Sequence, residues 1–482
     1  ACLPEWMAQA EQCANDALKQ AETNRLHLRS LYGRNNDFEN GLPSSVSRLV
    51  CGDNLQCLAE MVCVGHVVDL IYIDPPFESR RTFNIQLSGL GETVSTLTLP
   101  AYSDRWSDGL ASYLAFMLPR LILMQRVLSD VGSLYVHVDS RTSHYLKLFL
   151  DEIFGAEQFR NELIWKRDSA GKGAKGAARQ WSRENDHILY YTKSDARYFQ
   201  PVYHDELTAT QLREYLYQEP DGRRFKKVQL GDYSPQSIER LRAENRIYAT
   251  SSGREYKKYY LDEAQYPVGS NWTDIVNLSK GQAEQVGYPT QKPLQLLERI
   301  IQASCPPDGI VADFFAGAGT TAIAAQRQNR RWIACERNPA GLALTQRRLA
   351  VEAEQPMFFY FESTESQQRS DPLEVDCSRI SYQVGTTHSI ELLDYMPLDT
   401  SLAASLDYVS HWSVGTMRNQ TFHAIATACR TFAKKRKECA TLQTVLEIPA
   451  ALQTDDADYW IEVVDVWGAV GYVPLAEGLK QT

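Results

Sequence analysis

The stretch Val67-Val68-Asp69-Leu70-Ile71-Tyr72-Ile73-Asp74-Pro75-Pro76-Phe77 decides the fold of this chain. A β-branched apolar run closed by two prolines reads as a buried strand that stops at its C-terminal edge, where open α/β sheets bind ligands. Two successive prolines fix φ twice and remove two backbone donors. The Asp74 carboxylate and the neighbouring carbonyls then form an acceptor-only rim beside the Phe77 ring, suited to a flat base with an exocyclic amino group. Taken alone, the four residues are better explained as a strand end followed by a turn. A second stretch reverses that balance.

It runs Val311-Ala312-Asp313-Phe314-Phe315-Ala316-Gly317-Ala318-Gly319-Thr320-Thr321, from an apolar strand through a glycine turn into the helix-like 322–329. Gly317 and Gly319 permit a tight turn and close backbone approach to a ligand, while Thr320 and Thr321 sit where a helix N-terminus offers free amides. The next strand, Arg331-Trp332-Ile333-Ala334-Cys335, ends at Glu336. A carboxylate at the tip of the second strand of a nucleotide-binding unit takes ribose hydroxyls. The third glycine of the dinucleotide fingerprint is missing, so the order of elements carries more weight than the glycines.

Together these residues resemble the β-class amino-methyltransferases of DNA, and within them the modification subunits of type III restriction systems. In that family a D-P-P-[FY] catalytic motif precedes an F-x-G-x-G cofactor loop. Asp74 to Phe77 matches the first and Phe315 to Gly319 the second. Tyr288-Pro289-Thr290-Gln291-Lys292-Pro293 is similar to the family's H-P-T-Q-K-P segment, with Tyr288 in place of His, and Leu49-Val50-Cys51-Gly52-Asp53-Asn54 to the strand whose acid approaches the cofactor's adenine. The resemblance covers residues 45–350. It implies a catalytic motif of Asp74, Pro75, Pro76 and Phe77. It also implies S-adenosyl-L-methionine as cofactor, with Asp53, Asp74, Lys292, Asp313, Phe315, Ala316, Gly317, Gly319, Thr320, Thr321, Glu336 and Arg337 around it, and no metal.

The chain has 482 residues, 44% of them hydrophobic, enough for two or three domains with buried cores. No stretch approaches the ~18 consecutive apolar residues of a membrane span, and the first residues lack a basic and apolar leader pattern, so a cytoplasmic enzyme of bacterial, archaeal or phage origin is expected. Ten cysteines are scattered without a C-x-x-C pair and read as reduced, buried residues. A net charge of −10 is unlike a DNA-binding protein until the charge is located: residues 160–260 carry 20 Lys and Arg against 14 Asp and Glu. A basic block on an acidic body still forms a phosphate footprint.

Within that block, the Gly-rich basic stretch around Lys166, Arg167, Lys172 and Lys175, extended by Arg179, Trp181 and Arg183, reads as a loop projecting from the catalytic edge. By resemblance it closes over target DNA. Arg223, Arg224, Lys226 and Lys227, then Lys257 and Lys258, interleave with Phe225, Tyr256, Tyr259 and Tyr260, which suits phosphate contact with base stacking as well as ordinary amphipathic surface.

The fold class expected is α/β, a Rossmann-like methyltransferase sheet with circularly permuted motif order, a target-recognition insertion and a small α+β C-terminal module. The boundaries expected are 1–44, an N-terminal helical extension; 45–194, the catalytic half; 195–270, target recognition; 271–354, the cofactor half; and 355–482, the C-terminal module. Residues 4–30, and 5–28 especially, are expected as a helix, as are 110–128 and 293–303. So is 421–437, with a basic end at Arg430, Lys434, Lys435, Arg436 and Lys437. His137 and Asp139, near a strand end, read as structural.

The implied reaction is methyl transfer to the exocyclic N6 of a flipped adenine in DNA, most simply duplex DNA. Cytosine N4 is the alternative acceptor, favoured less by Asp at position 74 through family resemblance. RNA methylation and a non-catalytic recognition subunit of a restriction or defence complex also stay open. A homodimer or a restriction-type partner subunit is compatible with the resemblance.

Overall fold

Val68–Ile73 is a strand buried along its length except at half-buried Asp69, as a central parallel strand must be. Leu128–Val138 pairs with it on one side and Ile310–Asp313 on the other, both in parallel. Val311 lies opposite Leu70 and Ala312 opposite Ile71, a register that sets Asp74 level with Phe315 where both chains leave the sheet at the same edge. Chain direction diverges here, towards Leu128–Val138 on one side and Arg331–Glu336 on the other, which makes this edge a topological switch point.

The computed structural model describes residues 3–32, 47–88, 90, 96–167, 179, 181–279, 282, 284–352, 358–363, 380–383, 387–393, 395, 405–431, 442–449 and 459–475. The fourteen-stranded sheet runs in the order Asn271–Trp272, Phe159–Lys166, Asn185–Thr192, Leu128–Val138, Val68–Ile73, Ile310–Asp313, Arg331–Glu336, Ser47–Cys51, Phe358–Glu362, His27–Tyr32, Thr421–Cys429, Val409–Arg418, Tyr459–Asp465 and Val470–Pro474. Its six parallel members, from Leu128–Val138 to Phe358–Glu362, form the methyltransferase-like centre. The catalytic strand precedes the cofactor strand in the chain, which is the permuted order.

Against this centre lie the helices Leu3–Ala21, Asn54–Cys63 and Leu110–Val127, which share one apolar core. Leu110–Val127 is long and apolar enough to pass for a membrane span, contrary to the expectation that no stretch comes near one, yet most of it is buried within the fold. Its interior carries Arg120, which the site explains.

Two helical expectations are corrected. The N-terminal helix ends at Ala21, and His27–Tyr32 is instead a strand antiparallel to Phe358–Glu362. Ser30 and Tyr32 donate to the buried Glu462 carboxylate at 2.6 and 2.8 Å, a tertiary bond that local propensity does not register. Thr421–Cys429 is also a strand, antiparallel to Val409–Arg418 and parallel to His27–Tyr32. Its alanines read as helix formers, but Phe422, Ala424 and Ala428 are buried while their neighbours are half-buried, and the cross-strand pairing wins. Arg430 is buried and donates to the carbonyls of Val409, Leu90 and Leu406 rather than forming a solvated basic end. Lys434, Lys435, Arg436 and Lys437 lie outside the described residues. Val409–Arg418, Thr421–Cys429, Tyr459–Asp465 and Val470–Pro474 thus continue the main sheet, while Val445–Pro449 joins Ile380–Gln383 and Thr387–Leu392 in a separate three-stranded sheet.

The chain divides into two compact units, Ala1–Phe199 with Ser270–Thr482, and Gln200–Gly269. The second has its own four-stranded antiparallel sheet, in the order Ile247–Ala249, Glu255–Tyr260, Arg224–Gln229, Tyr217–Gln218.

Candidate active site

The glycine turn is held by carboxylates that accept from its backbone amides. Asp313, the last residue of its strand, accepts from the Phe315 amide at 2.9 Å and from the Thr321 hydroxyl at 2.5 Å, tying the start of the turn to the helix Thr320–Arg327. Gly317 and Gly319 both have left-handed φ, 55° and 73°. Glu336 accepts from the Gly317 amide at 2.8 Å and from the Asn338 amide at 2.8 Å, which leaves lone pairs on both oxygens for hydroxyl donors. Burial raises the pKa of Glu336 against the lowering effect of these amides.

Asp53 caps the helix Asn54–Cys63 by accepting from the Leu55 amide at 2.8 Å. The buried Arg120 reaches from its apolar helix to Asp53 at 2.8 Å and to Asn54 at 2.5 Å, and its guanidinium lies 3.6 Å from the Phe116 ring centroid. Asn54 in turn donates to the Phe314 carbonyl at 2.6 Å. Asn54 thus joins two chain-distant motifs, and Arg120 holds Asn54 and Asp53 in place.

Asp74 lies across the same cavity, of about 650 Å³, which is also lined by Asp53, Pro76, Gly317, Glu336 and Arg337. That volume lies within the ordinary range for small-molecule sites, about 300–1,000 Å³. Asp313, Phe315, Ala316, Thr320 and Thr321 face it as well; Gly319 shapes the turn behind it. Lys292 is nearly buried, lines the same cavity and pairs with Asp74 Oδ2. Asp74 Oδ1 is buried with no hydrogen-bond partner among the described residues. A buried carboxylate oxygen with nothing to accept from is costly unless a ligand donor completes it.

Phe77 stands beside the cavity with its ring stacked on His137, centroids 6.1 Å apart and planes 14° apart. Burial, then the Lys292 charge, lowers the pKa of His137 and keeps the ring neutral. A carboxylate can only accept, so Nε2 carries the proton donated to Asp186 (3.2 Å) and Nδ1 accepts from the Tyr72 hydroxyl (2.8 Å). The imidazole is thereby fixed as a platform under Phe77. Asp139 is engaged by Arg141 at 2.7 Å.

Asp313 carries a pH dependence. Burial, followed by the Asp74 and Glu336 charges, pushes its carboxyl up to about 7 against the Thr321 and Phe315 hydrogen bonds. Between the ordinary Asp value of about 3.9 and about 7, the unfolded chain is ionised there while the folded chain holds its proton, so this residue's contribution to stability falls as pH rises through that window. Asp313→Asn removes the slope. The variant's melting temperature should gain on the parent's between about pH 5 and about pH 8; a difference constant with pH would refute the raised value.

The basic residues divide differently. Lys166 pairs with Glu184 at 3.8 Å and Arg167 with Asp186 at 3.3 Å; Arg179 and Arg183 are exposed, and Trp181 is 95% exposed. Lys172 and Lys175 lie outside the described residues. In the second unit Arg223 is paired with Asp262 and Glu263, Lys226 with Glu214 and Lys258 with Glu219, while Arg224 donates to the Leu212 and Tyr215 carbonyls. Lys227 sits among the Tyr217, Tyr248 and Tyr256 rings at 4.7, 5.4 and 5.0 Å, and Lys257 lies 4.3 Å from the Tyr259 ring. Much of the basic and aromatic interleaving is thus spent inside this sheet.

Sequence reasoning missed Arg120, the cavity-lining Tyr102 and Trp106, and the His137 platform. Arg120 carried a signal, a lone charge inside an apolar helix; the others carried none that separates them from core residues. Tyr288, the departure from the family segment, is buried and packs its ring beside Gly317.

A parallel sheet whose switch point opens on a nucleotide-sized cavity, between a glycine turn and a proline-fixed carboxylate, defines an α/β ligand-binding enzyme. The family model described as DNA methylase matches residues 68–347, more than half of the chain, and the chain belongs to that family. The type II methyltransferase M.EcaI of Enterobacter cloacae is 27% identical over 384 residues, 74% of this chain and 80% of that protein. The StyLTI Mod subunit, a type III restriction-modification protein of Salmonella typhimurium, is 27% identical over 338 residues, 59% of this chain and 50% of its own length. The DNA adenine methyltransferase YhdJ of Escherichia coli is 24% identical over 284 residues, 59% of this chain and 76% of that protein.

Proposed function

We propose that this DNA methyltransferase acts on the exocyclic N6 of an everted adenine, with S-adenosyl-L-methionine as donor. The observation that carries the reading is the Asp74 Oδ1 acceptor, buried and without a partner among the described residues, in the same cavity as the Gly317 turn. The site fits the donor: Glu336 keeps lone pairs for ribose hydroxyls, the glycine turn lets backbone come close, and the volume holds a nucleoside with its side arm. When bound, S-adenosyl-L-methionine supplies an electrophilic methyl group on a sulfonium.

An aromatic amine is a poor nucleophile because its lone pair is delocalised into the ring. Asp74 Oδ1 and the Pro75 carbonyl each accept one N–H, localise that pair and stabilise the positive charge that develops on nitrogen. Lys292 holds the other Asp74 oxygen, which fixes the carboxylate's orientation. An amine inside the duplex is out of reach of these acceptors, so the base leaves the stack, and Phe77, backed by His137, offers it a face. Arg179 and Arg183, both exposed, are the basic side chains of the candidate set most available to phosphate. Adenine is supported by Asp at position 74 and by the name of the YhdJ relative. The Mod-subunit relative supports a restriction-type partner subunit, which co-purification from a native host would reveal.

The test is transfer of radiolabelled methyl groups from S-adenosyl-L-methionine to unmethylated duplex DNA, single-stranded DNA and RNA, followed by nucleoside analysis. N6-methyladenine in DNA is expected. N4-methylcytosine would replace adenine by cytosine in this reading, label confined to RNA would overturn the substrate, and donor binding without transfer would make the chain a recognition subunit.

A further inference from the structure

The loop that carries the acceptor is held by a residue outside both motifs. Phe77, Glu78 and Ser79 point successive backbone N–H groups at one carboxylate, that of Asp104, at 3.1, 3.0 and 2.7 Å. The Trp106 indole N–H adds a bond at 3.0 Å. Backbone pairing closes the arrangement, Arg80 N–H donating to the Asp104 carbonyl at 2.9 Å and Asp104 N–H to the Arg81 carbonyl at 2.8 Å. Asp104 is 1% exposed, so its carboxyl group is buried and its acceptor sites are filled almost entirely by this loop.

The geometry required is unusual. Glu78 and Arg80 both have left-handed φ, 58° and 61°, which non-glycine residues keep only where the surroundings impose it. Successive amides turned inward by such backbone form a concave anion site, and here the anion comes from the protein itself. Trp106 extends the linkage: its ring lies 5.1 Å from that of Phe116, which lies 6.1 Å from Phe315 of the glycine turn and beneath Arg120. One carboxylate therefore joins the loop after Asp74 to the cavity wall on the donor side.

We propose that Asp104 is a positioning residue for methyl transfer, an internal anion that fixes the turn after Asp74 so that the acceptor oxygen and the Phe77 ring are in place before the base arrives. This rests on the proposed reaction at the same site. Prolines 75 and 76 stiffen the start of the loop, but nothing in them sets its far end; the three amides gathered by Asp104 do. Displacing such a loop acts on alignment more than on affinity, and misplacement of about 1 Å costs about 10²-fold in rate.

The test is Asp104→Asn in the full chain. The amide keeps one acceptor oxygen and turns a donor towards an N–H that already donates. Single-turnover methyl transfer to unmethylated duplex DNA should fall about 10²-fold, while the dissociation constant for S-adenosyl-L-methionine, by calorimetry, stays close to the parent's. A folded variant with the parent's rate, or one that loses donor affinity as much as rate, overturns the proposal. If the variant does not fold, hydrogen exchange on the parent decides: the amides of 77–79 should be protected, and exchange at open-chain rates overturns it. A parent that transfers no methyl group sinks the proposed activity and this role with it; an active parent with an indifferent Asp104→Asn sinks the role alone.

Discussion

Asp74→Ala is expected to lower methyl transfer by about 10²–10³-fold or more, on the order of 3–4 kcal/mol of transition-state stabilisation, while donor binding survives. The argument is local. Asp74 has one oxygen held by Lys292 and the other buried without a partner among the described residues, so the side chain is spent on a ligand donor and not on the fold. Removing it leaves Lys292 beside the cavity without its partner carboxylate, a positive charge close to where positive charge should develop on the target nitrogen. That reversal makes the alanine worse than a mere deletion of an acceptor. Asp74→Asn separates the contributions: it keeps an acceptor oxygen and removes the charge, and should fall between parent and alanine. The measurement is single-turnover transfer at saturating donor, with donor affinity read separately. Normal turnover at saturation with weakened donor binding would move Asp74 from the target amine to the cofactor.

What the sequence discloses here is whatever depends on a few consecutive residues. Asp74 and the Gly317 turn are legible because a strand end, two prolines and two glycines each have a local physical consequence, and the sheet then brings them together through the pairing of Val311 with Leu70. Lys292 is named by its motif, but its partner is 218 residues away, and a spacing rule cannot reveal which side of the cavity it serves. Asp104 and Arg120 act through tertiary hydrogen bonds, so one reads as a loop acid and the other as an impurity in an apolar helix. The basic and aromatic clusters of 223–227 and 254–260 show the opposite difficulty. Their composition promises phosphate and base contacts, whereas antiparallel pairing sets Arg223, Lys226 and Lys258 against carboxylates of their own unit. Thr421–Cys429 was misread because alanine favours helix locally while the neighbouring strands decide globally.

Gly317→Val is expected to abolish donor binding, raising the dissociation constant at least about 100-fold, a loss of about 2.7 kcal/mol. Two independent constraints act on this residue. Its φ of 55° is one that a β-branched side chain rarely adopts, so the turn itself is strained. A Cβ built there would also stand 2.9 Å from Cε1 of the Tyr288 ring, closer than such contacts occur. Tyr288 has little room to retreat, because it is buried with its opposite ring edge facing the Gly341 backbone. Either the turn shifts, breaking the Gly317 amide bond to Glu336, or the ring moves into the cavity; both remove the donor's place. Gly317→Ala tests which constraint dominates: it meets the same Cβ contact with less backbone strain, so a loss of affinity nearly as large as that of valine assigns the effect to Tyr288. Asp74 lies on the far side of the cavity, and calorimetry with Asp74→Ala should show the contrast, donor binding kept there and lost here. Normal donor affinity in a folded Gly317→Val would mean that the glycine turn is not where the donor binds.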